Sequence, residues 1–176
     1  DSDWQAVDLP HDWASFQPFV KTANVAQGYR PRGIGWYRRS FRLDPALQGR
    51  RIELEFGGVA TFATIWVNGS VVAHNFSGYN AIRIDLTPFA RFGDEPNIVA
   101  VRVDAEAMEG WWYEGAGLYR HVWIDATGPV HVSRWGTYVT TPAVAAATFA
   151  AAVCTGASDP FASSVPRQRR RSPVVR

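Results

Sequence analysis

Apolar and polar residues alternate with a period of two through segment after segment of this chain. Each run stops at a turn signal. In Arg51 to Phe56 the side chains of Ile52, Leu54 and Phe56 point one way and those of Arg51, Glu53 and Glu55 the other. A period of two belongs to a strand with one buried face, because successive side chains leave a pleated backbone on opposite sides. From Trp36 to Leu43 the apolar face is Tyr37, Phe41 and Leu43, opposite Arg38 and Arg42, and Asp44-Pro45 ends the run. Thr61 to Val67 is β-branched and aromatic and runs into Asn68-Gly69, the strongest short hairpin signal, with Val71 to His74 as the return strand. Ala81 to Leu86 alternates with Ile82, Ile84 and Leu86 inward, and Thr87-Pro88 stops it. Asn97 to Val103 alternates on Val99, Val101 and Val103; Leu118 to Ile124 and Val130 to Tyr138 complete the set. No 3.6-residue apolar stripe precedes Thr141. The pattern predicts an all-β, antiparallel jelly-roll β-sandwich over residues 1–142. Trp36, Ile52, Leu54, Phe56, Trp66, Ile84, Val99, Val101 and Val122 are expected to be mostly buried.

The two ends read differently. Trp4 to Arg32 is irregular and rich in Pro and Gly. After Pro142 an Ala/Val run over 143–153 gives way to small residues and prolines, then to Arg167-Gln168-Arg169-Arg170-Arg171. Residues 143–176 are therefore expected to be a low-complexity, disordered C-terminal tail outside the sandwich. A frame change in a GC-rich gene and a genuine basic linker both give this composition. The tail also distorts the charge. It holds five Arg against one Asp, so it carries +4 of a chain total of +2, and residues 1–142 carry −2. The folded part has no basic footprint, and no nucleic-acid partner is expected. No apolar run approaches the length that crosses a membrane, and no basic start followed by an apolar run marks a signal peptide. One cysteine, Cys154, leaves no internal disulfide, and no metal-ligand or phosphate-loop spacing appears, so no metal or cofactor is expected.

Several strings, in order, resemble the N-terminal sugar-binding domain of glycoside hydrolase family 2, the β-galactosidase/β-glucuronidase type. They are Val7-Asp8-Leu9-Pro10-His11-Asp12-Trp13, Gly33-Ile34-Gly35-Trp36-Tyr37-Arg38, Trp66-Val67-Asn68-Gly69 with Gly78-Tyr79 and Ile84-Asp85-Leu86-Thr87, Asn97 with Val99 and Val101, and Glu109 to Val122. The resemblance covers about residues 1–142. It implies a galactose-binding-domain-like sandwich that serves a retaining glycosidase. In that family, hydrolysis uses two Glu on a (β/α)₈ barrel, and a barrel takes roughly 250 residues, for which this chain has no room. No catalytic residue is therefore expected here. The implied partners are a β-glycoside's terminal sugar and the immunoglobulin-like and barrel domains of a parent enzyme. The alternative is a free-standing carbohydrate-binding module.

The Glu109–Gly117 loop is the candidate binding element. Three consecutive aromatics between glycines are poorly explained by a strand core, whereas flat rings stack on sugars and carboxylates accept hydrogen bonds from hydroxyls. Glu109, Trp111, Trp112 and Glu114 are the candidate substrate-binding residues, and the loop is expected to present Trp111 or Trp112 to solvent. In the family the segment before the first core strand also approaches substrate, which here offers Asn24, Gln27, Tyr29 and Arg30. Arg120 is expected to be buried and paired with a carboxylate such as Asp12 or Asp85. Glu53 and Glu55 are expected to be hydrated on a solvent face.

Overall fold

The computed structural model describes residues 3–106, 109–145, 148–155 and 174–175. The strands are β1 (Gln5–Ala6), β2 (Ile34–Phe41), β3 (Arg51–Phe56), β4 (Phe62–Val67), β5 (Ser70–Asn75), β6 (Ile82–Asp85), β7 (Asn97–Asp104), β8 (Val122–Thr127), β9 (Thr137–Ala145), β10 (Thr148–Thr155) and β11 (Val174–Val175). Three single-turn 3₁₀ segments are the only helical elements among the described residues. All ladders are antiparallel. One sheet runs β1-β11-β2-β7-β4-β5, and the facing one runs β6-β3-β8.

The core lies where the predicted inner faces meet. Ile52, Leu54 and Phe56 from β3 and Ile84 from β6 pack with Tyr37, Ile65, Val67, Val101 and Val103 of the larger sheet. Fully burying each such aliphatic or aromatic side chain contributes about 1.5–3 kcal/mol.

Two expected core residues face outward instead. Tyr37 and Ile65 are inside, so the parity of the strand sends Trp36 and Trp66 to the opposite face. There the two indoles stack on each other at 5.3 Å. They meet across β7 because Ala100, paired with both Arg38 and Trp66, is small enough to let them. Val122 is half-buried at the end of β8.

Asn68-Gly69 forms the expected hairpin, both residues at positive φ. Asn68 does more than turn the chain. Its Oδ1 accepts from the Ile98 amide at 2.8 Å, and its Nδ2 donates to the Phe89 carbonyl at 2.8 Å and to Asn97 Oδ1 at 3.1 Å. The hairpin is thereby tied to β7.

Two segments differ from expectation. Val130 to Tyr138 is not one strand: residues 128–136 are irregular, and β9 starts at Thr137. After Pro142, where no strand pattern was read, β9 and β10 pair as a separate hairpin, and Val174–Val175 pairs between β1 and β2. Backbone pairing does not require alternation, and the start of β9 carries the β-branched Thr137, Val139, Thr140 and Thr141. The remaining residues of the expected tail lie outside the described ones.

Candidate functional site

The aromatic loop leaves the end of β7 and returns to β8, and its aromatics project from it. Trp111 is 91% exposed, Trp112 57% and Tyr113 39%. The side chain of Glu114 turns inward, beneath them, where it is 3% exposed and pairs with Arg32 at 3.2 Å. The Arg32 guanidinium also donates to the Gly115 carbonyl from Nε at 3.1 Å and from Nη2 at 2.9 Å, and to Thr61 Oγ1 at 3.0 Å. A buried charge needs a full set of partners, and here the fork of one arginine satisfies a carboxylate, a carbonyl and a hydroxyl together.

Gln27 and Asp12 fix the rest of the loop. Gln27 is fully buried; its amide donates to the Trp112 carbonyl at 2.8 Å and its oxygen accepts from the Glu114 amide at 3.1 Å. Asp12 Oδ1 caps the turn Trp13–Phe16 and accepts from the Ala116 amide at 2.9 Å. Asp12 Oδ2 accepts from the Tyr113 hydroxyl at 2.6 Å. Burial first, then this hydrogen bond to a carboxylate, holds the Tyr113 hydroxyl well above the ordinary tyrosine pKa, so it stays a donor. Glu109 Oε2 accepts from the Gly78 amide at 2.6 Å, and Trp112 Nε1 donates to the Tyr79 hydroxyl. The backbone is thus held from below while the Trp111 ring stays open and the Trp112 ring lies against Gly110.

The four candidates share one loop but present differently. Trp111 and Trp112 are outward. Glu109 is exposed, with one carboxylate oxygen engaged by Gly78. Glu114 is an anchor whose carboxylate faces Arg32. Of the second segment, Gln27 is a buried clamp and offers nothing to a ligand. Asn24 caps the turn Val25–Gln27 through the Ala26 amide, and Arg30 lies over the Phe19 ring at 4.0 Å. Tyr29 stays 44% exposed. Arg120 is exposed rather than buried, donating to the Gly57 carbonyl at 3.3 Å. The buried arginine of this domain is Arg32, which no local pattern marks. Asp85 serves Thr87 instead, accepting from its amide at 3.0 Å, and hydrogen bonding to Thr87 holds its carboxyl below the usual carboxylate range.

His11 supports the loop's return. Its Nδ1 lies 2.9 Å from the Tyr37 hydroxyl, which also accepts from the Leu118 amide at 3.3 Å. Burial lowers the His11 pKa below its ordinary 6.5, partly offset by the charge of Asp12. A lowered folded-state pKa means that the unfolded chain binds the proton more readily. The His11 contribution to stability is complete above the ordinary value of 6.5 and is lost as pH falls through the lower folded-state value. Urea denaturation from pH 8 to pH 5 is expected to show this loss. His11→Gln is expected to flatten it, and an unchanged slope in that variant would refute the assignment.

Among the described residues no group of three or more His, Cys, Asp or Glu is placed to hold a metal ion, and no helix is long and apolar enough to cross a membrane.

Comparison with known proteins places this architecture. Residues 4–127 match the family described as glycosyl hydrolases family 2, sugar binding domain. The chain is 45% identical over 147 residues to the beta-galactosidase BoGH2A of Bacteroides ovatus, a match covering 82% of this chain and 17% of that protein. A solved family 2 glycosyl hydrolase from Bacteroides cellulosilyticus superposes with a TM-score of 0.84 at 34% identity, covering 100% of this chain and 27% of that one. The Bacteroides uniformis beta-glucuronidase superposes at 0.71 with 30% identity, covering 87% and 18%. The chain spans less than one fifth of the curated relative's length.

Proposed function

This chain belongs to the sugar binding domain family of the family 2 glycosyl hydrolases, and from that premise we propose that it serves a larger retaining β-glycosidase by shaping the pocket for the terminal sugar. The supporting observation is the aromatic loop: Trp111 is 91% exposed on a backbone fixed by Gln27, Arg32 and Asp12. Rigid support under an open ring suits a positioning element, because small misplacements at a reacting centre are costly. In this reading Trp111 and Trp112 offer faces to the sugar and Glu109 accepts from a hydroxyl. Glu114 holds the loop in place. The further domains of the parent enzyme supply the acid/base and nucleophilic carboxylates that retention requires.

The chain by itself is expected to show no specific turnover of nitrophenyl β-galactoside or β-glucuronide; measurable turnover by pure protein would refute the accessory role. In the parent enzyme, Trp111→Ala is expected to lower kcat/KM by roughly tenfold or more, a loss of about 1.4 kcal/mol of transition-state binding. Unchanged kinetics would remove Trp111 from the sugar pocket.

A further inference from the structure

We propose that the outer face of the β6-β3-β8 sheet carries a second binding site, for a neutral saccharide. It shares no residue with the aromatic loop. The irregular segment before β9 folds back over this face and leaves an open groove of about 560 Å³, within the size range of small-molecule sites. Glu53 and Glu55 of β3 line it, with Asp125 of β8. The expectation that both glutamates are simply hydrated fails at Glu55, which is only 8% exposed. Arg134 covers it in an ion pair and reaches Asp125 at 3.7 Å. Glu55 Oε2 is the oxygen that meets the Arg134 guanidinium, so Arg134 is held across the sheet face, and the acceptor left to the groove from β3 is the carboxylate of Glu53.

Trp135 supplies the second observation. Its indole stands 85% exposed at the groove's rim, 5.7 Å from the Arg83 guanidinium. Its backbone sits at φ 62°, in the left-handed region. A bulky side chain rarely adopts that conformation, and such strain gathers at ligand sites. The turn is closed by the Gly136 amide donating to the Ser133 carbonyl at 2.8 Å. The strained turn thus holds a large ring out of the core and beside a polar groove.

The charges choose the ligand. Arg51, Arg83 and Arg134 balance Glu53, Glu55 and Asp125. A groove of zero net charge gives no advantage to an ion. It offers fixed donors and acceptors together with one flat apolar face, which matches a sugar ring carrying hydroxyls on its edge and C–H groups on its faces. This goes beyond the proposed role of the aromatic loop and stands whether or not that role is correct.

The test is a titration of the 176-residue chain with lactose and with cellobiose, followed by NMR at the tryptophan indole N–H signals. At least one of the two sugars is expected to shift the Trp135 signal saturably with a millimolar Kd. Trp135→Ala and Glu53→Gln are each expected to weaken binding by roughly tenfold. Trp135→Ala should leave the melting temperature unchanged, since the ring is exposed; if that variant does not fold, Glu53→Gln carries the test. Absence of a saturable Trp135 shift with both sugars up to roughly 50 mM, weaker than any useful affinity, overturns the proposal. So does binding that moves the Trp111 signal and survives loss of the Trp135 ring.

Discussion

Gly117→Ala is expected to destabilise the domain by about 2–6 kcal/mol. Gly117 stands at φ 120°, and a Cβ built there would lie 2.2 Å from the Tyr37 hydroxyl and 2.8 Å from the His11 carbonyl oxygen. An unfavourable backbone costs about 1–3 kcal/mol, and overpacking a tight site costs about 1–3 kcal/mol more. The neighbours have little freedom to yield. Tyr37 is 1% exposed and bonded to His11 and Leu118, and the Gly117 amide and carbonyl both pair with Ala60. Gly49 is the control: its φ is 84°, but nothing lies within 4 Å of its would-be Cβ. Gly49→Ala should therefore carry only the conformational part. Urea denaturation of the two variants gives the comparison, and a Gly117→Ala loss no larger than that of Gly49→Ala would show that the close approach is not real. Gly117 closes the aromatic loop, so its loss should also loosen the candidate site.

Arg32→Met is expected to cost about 3–5 kcal/mol, the range for removing one partner of a buried ion pair. The substitution strands the Glu114 carboxylate, whose side chain is 3% exposed, and withdraws two donors from the Gly115 carbonyl. Replacing both partners, as Arg32→Met with Glu114→Leu, removes the stranded charge and should recover part of the loss. Recovery stays incomplete by about 1–3 kcal/mol because the Gly115 carbonyl remains without its donors. A double-mutant cycle in urea should give a coupling of about 2 kcal/mol between the two positions. Additive losses would mean that the pair contributes nothing as a pair. Amide exchange across residues 112–116 should quicken in Arg32→Met, since the loop backbone loses its hold at the Gly115 carbonyl and keeps only those from Gln27, Asp12 and the Trp13 amide.

The role of Arg32 shows where the sequence stops being informative. Its partners Glu114 and Gly115 lie 82 and 83 residues away, and Gln27 reaches the Trp112 carbonyl across 85. Nothing in Arg30-Pro31-Arg32-Gly33 distinguishes an arginine bound for the interior from one left in solvent. The same limit put Arg120 inside when it lies outside. The aromatic loop was legible because three rings in a row between glycines break the strand pattern locally, and its exposed rings agree with that reading. Which of its two glutamates faces solvent was not legible: both sit beside glycines and aromatics, and only the position of Arg32 separates them.

The sheets themselves were written into the chain. A strand's period of two is a local property of the backbone, so the inward faces of β3, β6 and β7 follow from the residue order alone. The outward placement of Trp36 and Trp66 followed from the same parity, given Tyr37 inside; expecting large indoles in the core overrode it. Tertiary structure decided what local order does not encode. It turned most of the expected strand Val130 to Tyr138 into an irregular cover over β3 and β8, with β9 starting only at Thr137, and buried Glu55 beneath Arg134. It also set Asp12, Gln27 and Arg32 under the aromatic loop. Buried polar groups must find partners, and those partners are set by which surfaces the packed sheets bring together, not by neighbours in sequence.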